Sequence, residues 1–151
     1  MIIIGIDPGQ SGGIAAIIDG EAVAWKMPDT EMDTYHIFLE IPHPAFALLE
    51  RAQAYPGQGV SSGFKYGTNY GFLRCCLIAC GIPFEEVSPA KWQRVMRCES
   101  GGDKGVTKQK AQQLFPRLKI THATADALLI CEYGRRTYGQ NSDKTALFQD
   151  F

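Results

Sequence analysis

Met1-Ile2-Ile3-Ile4-Gly5-Ile6-Asp7-Pro8-Gly9 opens the chain. Four isoleucines within six residues leave no polar face, which is the pattern of a strand covered on both sides. Asp7-Pro8-Gly9 then ends it in a turn. A carboxylate at the end of so apolar a strand lies where the sheet stops. Taken alone, Asp7 is a turn-forming residue before Pro-Gly. A chemical role needs companions brought to the same edge.

Working outward, Gly12-Gly13 opens a second strand through Ile14–Ile18. Asp19-Gly20 is a two-residue hairpin signal, and Ala22–Met27 follows as a third strand, giving an antiparallel meander. Asp33–Ile41 predicts a short helix stopped by Pro42 and Pro44. Ala45–Leu49 is another buried strand with Glu50 at its end, and a parallel return to the first strand makes the sheet mixed. Tyr55–Ser62 (YPGQGVSS) reads as a loop. Phe64–Cys80 predicts a helix whose Gly67, Gly71 and Cys75 recur at i, i+4 and i+8, a face that lets another backbone come close. Phe84–Val87 is a strand. Ser88 as N-cap and Pro89 at the first helical position start a helix to about Arg97. Glu99–Gly105 (ESGGDKG) reads as a flexible linker, Thr107–Phe115 as a helix and Thr124 to about Thr137 as the last helix. The order β-β-β-α-β-α-β-α-α-α defines an α/β layered domain. It occupies residues 1–138, with a polar tail at 139–151.

The chain has 151 residues and 16.6 kDa, one domain's worth. At that size about 70% of the unfolded surface can be buried, so no disulfide or metal staple is needed. With 45% hydrophobic and 21% charged residues, disordered and collagenous classes are excluded. Five cysteines without framework spacing point to a reducing, cytoplasmic compartment. Cys76 and Cys80 have C-x₃-C spacing beside Cys75, but Cys98 and Cys131 are isolated, so core thiols are expected rather than zinc. The apolar run from Met1 breaks at Asp7, too soon for a signal peptide, and no stretch approaches a membrane span.

The formal net charge of −1 conceals an asymmetry. Residues 1–64 carry two basic and eight acidic side chains, whereas 65–119 carry ten basic and four acidic. The middle block is therefore locally positive, suited to phosphates or simply solvated. Its candidates for phosphate contact are Lys65, Arg74, Lys91, Arg94, Lys104, Lys108 and Lys110. Lys104 and Lys108 sit in or just after the linker, as lysines near a scissile phosphate would. Tyr55 and Phe64 flank the glycine-rich loop and could stack on an opened base, although core packing is the stronger expectation for Phe64. Trp92 reads as core, and Arg135-Arg136 as a solvated helix end.

Glu50 and Asp126 are the companions Asp7 requires. If the first and fourth strands are parallel neighbours, Asp7 and Glu50 leave the sheet at the same end. Asp126 stands in the first turn of an apolar helix (ATADALLI), where a buried charge needs a reason. Singly, Glu50 reads as an exposed strand end and Asp126 as a charge favoured by the helix dipole. Together they repel unless a cation neutralises them. Oxygen donors suit Mg²⁺ or Mn²⁺, and two such ions can activate water and stabilise a leaving oxygen.

Ile4-Gly5-Ile6-Asp7-Pro8-Gly9, Leu48-Leu49-Glu50 with its following loop, and Ala125-Asp126-Ala127-Leu128 resemble, in order, the three acidic motifs of RuvC-type Holliday-junction resolvases. The stretches PGQGVSS, PAKWQ and ADALLICEYGRR resemble the small, phage-type members. The resemblance implies an RNase H-like fold, a mixed central sheet with helices on both faces. It also implies a homodimer, for which the small-residue face of Gly67, Gly71 and Cys75 is the candidate contact. The implied activity is Mg²⁺-dependent cleavage of four-way DNA junctions in recombination and repair, with two ions per site and no nucleotide cofactor. It further implies DNA contact by Gln58, Ser61 and Ser62 in the loop. The family carries a fourth ligand, Asp or His, about one turn before its last Asp; Ala123 stands three residues before Asp126 and His122 four, so the role passes to His122. The chain is also more acidic than many relatives. Three alternatives stand beside this reading: a flap or fork nuclease of the same fold, a catalytically silent junction-binding module, and an actin-like phosphotransferase. The last shares the glycine-bearing strand turn but needs about twice this length.

Overall fold

The computed structural model describes residues 1–53, 57 and 59–139. Strands β1 (Ile2–Asp7), β2 (Gly13–Ile18) and β3 (Glu21–Lys26) form the expected meander. Asp19 and Gly20 both take positive φ, 52° and 85°, as the tight hairpin between β2 and β3 requires. Helix α1 (Glu31–Glu40) returns the chain to β4 (Ala45–Glu50), which pairs parallel with β1, Gly5 opposite Leu48. Helix α2 (Val60–Ala79) leads to β5 (Phe84–Val87), parallel to β4. Helices α3 (Pro89–Met96), α4 (Lys104–Leu114) and α5 (His122–Tyr138) complete the chain. The sheet order is β3-β2-β1-β4-β5. This is the mixed sheet of an RNase H-like fold.

The strand period of two splits the apolar residues into two cores. Ile3, Phe46 and Leu48 face Trp92, Met96, Ala111 and Leu128 of α3, α4 and α5. Ile4, Ile6, Ala47 and Leu49 face Phe38, Leu73 and Leu77 of α1 and α2. Helices therefore cover both faces, which is why β1 and β4 read as unbroken apolar runs. α5 lies hard against β1, because a Cβ on Gly5 would overlap the Ala127 carbonyl and the Cys131 backbone nitrogen. The Cys131 thiol donates to the Ile3 carbonyl at 3.0 Å. This close seat fixes where the start of α5 delivers Asp126.

Four helices start earlier than their periodicity predicts, three of them for reasons of capping. Thr30 accepts from Asp33 N and starts α1 at Glu31. Asp103 accepts from Gly105 N at 2.8 Å, so the expected linker gives way to α4 at Lys104. Thr121 and Thr124 form a reciprocal capping box that starts α5 at His122. The fourth, α2, begins at Val60, so Ser61 and Ser62 lie in its first turn and not in a loop. Arg135 and Arg136 also differ from expectation: both grip the buried Glu132, at 2.6 Å and 2.8 Å. Burial would push the Glu132 carboxyl up, but these bonds hold it below its ordinary value. No described helix is long and apolar enough to cross a membrane.

Candidate active site

Parallel pairing of β1 and β4, with Ile6 opposite Leu49, sends Asp7 and Glu50 out of the sheet at the same end. From the helix side, α5, which opens at His122, brings Asp126 at the start of its second turn. The three carboxylates sense one another: Asp126 acts on Asp7, and both act on Glu50. Burial first, then repulsion from Asp126, pushes the Asp7 carboxyl up to about 6, against the Gly9 N–H and Lys104. Burial and then Asp7 push Glu50 up to about 8, opposed by the Trp92 hydrogen bond and Lys104. Burial also pushes Asp126 up, against Thr107, Lys104 and His122.

Local contacts hold this arrangement. Gly9 N approaches Asp7 Oδ1 at 3.4 Å. Gly12 lies against Asp7, and a Cβ there would come within 2.7 Å of its carboxyl carbon. Asn69 of α2 donates to the Pro8 carbonyl and ties the turn to that helix. Trp92 Nε1 donates to Glu50 Oε2 at 2.6 Å. Asp126 Oδ1 is different: it is buried with no hydrogen-bond partner.

Such an orphaned carboxylate oxygen, among groups that repel it, fits a cation. All the converging donors are oxygens, the preference of Mg²⁺ and Mn²⁺. Among the described residues no group of three or more His, Cys, Asp or Glu side chains is placed to hold a metal ion by itself. Mg²⁺ rarely uses such a group, taking one or two carboxylates and completing its shell with water and substrate phosphate. The residues present therefore fit hydrated divalent ions shared with a phosphate.

Lys104 is the first residue of α4, where a positive charge opposes the helix dipole. Its charge reaches all three carboxylates. Lys108 is half-buried one turn further on, and His122 is exposed at the start of α5, where its charge acts on Asp126. Arg74, Lys91 and Arg94 lie in exposed ion pairs with Glu86, Glu85 and Glu99 at 3.5–3.8 Å. Lys65 is exposed and Lys110 half-buried. Tyr55 and Gln58 lie outside the described residues.

Phe64 corrects the sequence reading: it is 76% exposed and not core, because it lies on the side of α2 opposite the buried Leu73 and Leu77. With Lys65, Gln10 and Asn69 it lines a cleft of about 270 Å³ beside the Asp7 turn. Gly67, Gly71 and Cys75 are exposed along the same helix, and Cβ atoms on either glycine would meet open space. Cys75 thus departs from the core expectation, while Cys80 is half-buried and Cys76 is buried. Trp92 is fully buried as expected, but periodicity gave no sign of its bond to Glu50. Its position in the first turn after β5, the strand beside β4, is the signal that could have found it. Thr107 and Asn69 were missed as well, since single polar residues on amphipathic helices carry no local mark.

A five-stranded sheet in this order, with acidic residues at the ends of its two central parallel strands, defines an RNase H-like domain. No protein-family model matches the sequence, and no curated protein matches it closely enough to count. Solved structures do match. A Thermus thermophilus RuvC in complex with Holliday junction substrate superposes with TM-score 0.65 at 16% identity, over 91% of this chain and 97% of that one. A second Thermus thermophilus RuvC structure gives TM-score 0.62 at 18% identity, over 91% and 96%. The chain has the fold of the RuvC-type Holliday-junction resolvases.

Proposed function

We propose that the protein is a divalent-cation-dependent endonuclease that cuts branched DNA, four-way junctions first, by water attack on phosphodiesters. What supports the reading is the mutual electrostatic influence of Asp7, Glu50 and Asp126, the first two leaving the sheet at one end, with Asp126 Oδ1 buried and unpartnered. The shared fold supports the substrate class, since one matched structure is of a RuvC with a Holliday junction.

Asp7, Glu50 and Asp126, with His122 beside them, would hold two Mg²⁺ or Mn²⁺ ions. When bound, such ions polarise the phosphoryl group and acidify water. The chain's own residues prepare that site. The Gly9 N–H and close-packed Gly12 hold the Asp7 carboxylate. Lys104 supplies positive charge where phosphate charge builds in the transition state. Lys65, Lys108 and Lys110 extend the phosphate track, with Ser61, Ser62 and Phe64 at its α2 end. Arg74, Lys91 and Arg94 can join it, because exposed ion pairs contribute about 0–1 kcal/mol and exchange readily for phosphates. Two copies meeting along Gly67, Gly71 and Cys75 would match the two-fold symmetry of a junction. The setting is the cytoplasm, in recombination and repair.

A labelled four-way junction incubated with and without Mg²⁺ tests this. Paired symmetric nicks that need the metal are expected. A second reading, a silent junction-binding module, is favoured by Ala123 standing where the family's acid would and by the absence, among the described residues, of any group of three ligands placed to hold a metal ion. It predicts junction binding that Mg²⁺ never converts to nicks. Faster cutting of flaps or forks would move the substrate and keep the chemistry.

A further inference from the structure

We infer that Trp92 is a positioning residue for Glu50, its indole N–H fixing one carboxylate oxygen so that the other is presented to the divalent cations. The inference rests on the nuclease reading above and adds a residue to it.

Glu50 is the longest of the three acidic side chains, and a free Glu has the most rotamer entropy to lose when ordered. Asp7 is steadied by a neighbouring N–H and Asp126 by the close seat of α5. Glu50 has the bond from Trp92, at 2.6 Å to Oε2. An indole offers a single donor, and a buried one needs a partner. Here that partner is a carboxylate at the end of the sheet. The donor itself is immobile: Trp92 is fully buried between Val87, Met96 and the α5 core. Its helix is set by Pro89 at the first position, and it follows β5, whose Val87 stands opposite Glu50. Arg51 N bonds the Val87 carbonyl at 2.8 Å, so the backbone around both partners is pinned. With Oε2 anchored, Oε1 keeps both lone pairs for a cation, and its direction is set before any cation arrives. Outer-shell partners of this kind typically change metal affinity or activity by about 10–100-fold when removed.

The test compares wild type, Trp92→Phe, and a protein carrying benzothienylalanine at position 92, which keeps the indole outline but has sulfur in place of N–H. Mn²⁺ affinity is measured by calorimetry on DNA-free protein, beside the Mg²⁺ requirement for junction cleavage and junction affinity in EDTA. The expected result is Mn²⁺ binding about tenfold or more weaker in both altered proteins, cleavage partly rescued by excess Mg²⁺, and unchanged junction affinity. Should Trp92→Phe fail to fold, the benzothienylalanine protein alone decides. Wild-type Mn²⁺ affinity and Mg²⁺ requirement in that protein overturn the positioning role while leaving the nuclease reading intact. A wild-type protein that neither binds Mn²⁺ nor cuts overturns the nuclease reading itself, and the inference with it.

Discussion

Replacing Glu50 with Gln should stabilise the metal-free protein at pH 8 while abolishing its proposed activity. Burial and the neighbouring Asp7 raise the Glu50 carboxyl from 4.5 to about 8. The folded protein therefore holds the proton more tightly than the unfolded chain does. Its penalty is absent below about pH 4.5, grows as pH rises, and is complete above about pH 8. At 1.36 kcal/mol for each pH unit, the penalty at pH 8 is on the order of 4 kcal/mol. Gln removes the charge and still offers an oxygen to the Trp92 N–H. A domain of this size gains roughly 2–4 °C in Tm per kcal/mol, so Tm should rise by about 10 °C at pH 8. At pH 5 Glu50 is already protonated in the folded state, and the gain should shrink below about 1 kcal/mol. The assay is calorimetric or circular-dichroism melting in EDTA across pH 5–8. Saturating Mg²⁺ should then raise the Tm of wild type and leave Glu50→Gln nearly unmoved, because only the full acidic set binds the ion. A difference that does not change with pH, or a Mg²⁺ effect equal in both proteins, refutes the crowded-carboxylate argument.

Asp7→Asn should bind four-way junctions as well as wild type in a gel-shift assay, yet lose at least about 10³-fold in single-turnover cleavage, since it removes a proposed metal carboxylate. Lys104→Ala should lower the cleavage rate by about 10²-fold with little change in junction affinity at fixed salt, as loss of one preorganised transition-state charge does. Gly71→Glu should turn the proposed dimer into a monomer by light scattering. The added side chain meets open space, so the fold itself should not suffer, and helix propensity gains up to about 1 kcal/mol.

The sheet was legible because its information is local. Isoleucine-rich β1, Asp19-Gly20 and the apolar β4 each declare their state within a few residues. The candidate site rests on that, since Asp7 and Glu50 end two buried strands that the structure makes parallel neighbours. The RuvC-like motifs strengthened the same reading. Helix starts were less legible where a short polar side chain overrides a flexible-looking sequence, as Asp103 does for the glycine-rich stretch before α4. Phe64 was misread because hydrophobicity alone does not say which face of α2 the sheet takes. Arg135 and Arg136 read as a solvated helix end, because the burial of Glu132 that draws them in depends on packing that no local pattern records. Trp92 was assigned to the core, which is correct for its ring and silent about its single N–H.

Mn²⁺ soaked into crystals of the protein, followed by anomalous diffraction, tests the shared acidic pocket most directly. Anomalous peaks within about 2.0–2.3 Å of oxygens from Asp7, Glu50 and Asp126 are the expected outcome, the distances of hard-cation coordination. Fully occupied Mn²⁺ elsewhere on the protein with no density among these three side chains would contradict the account.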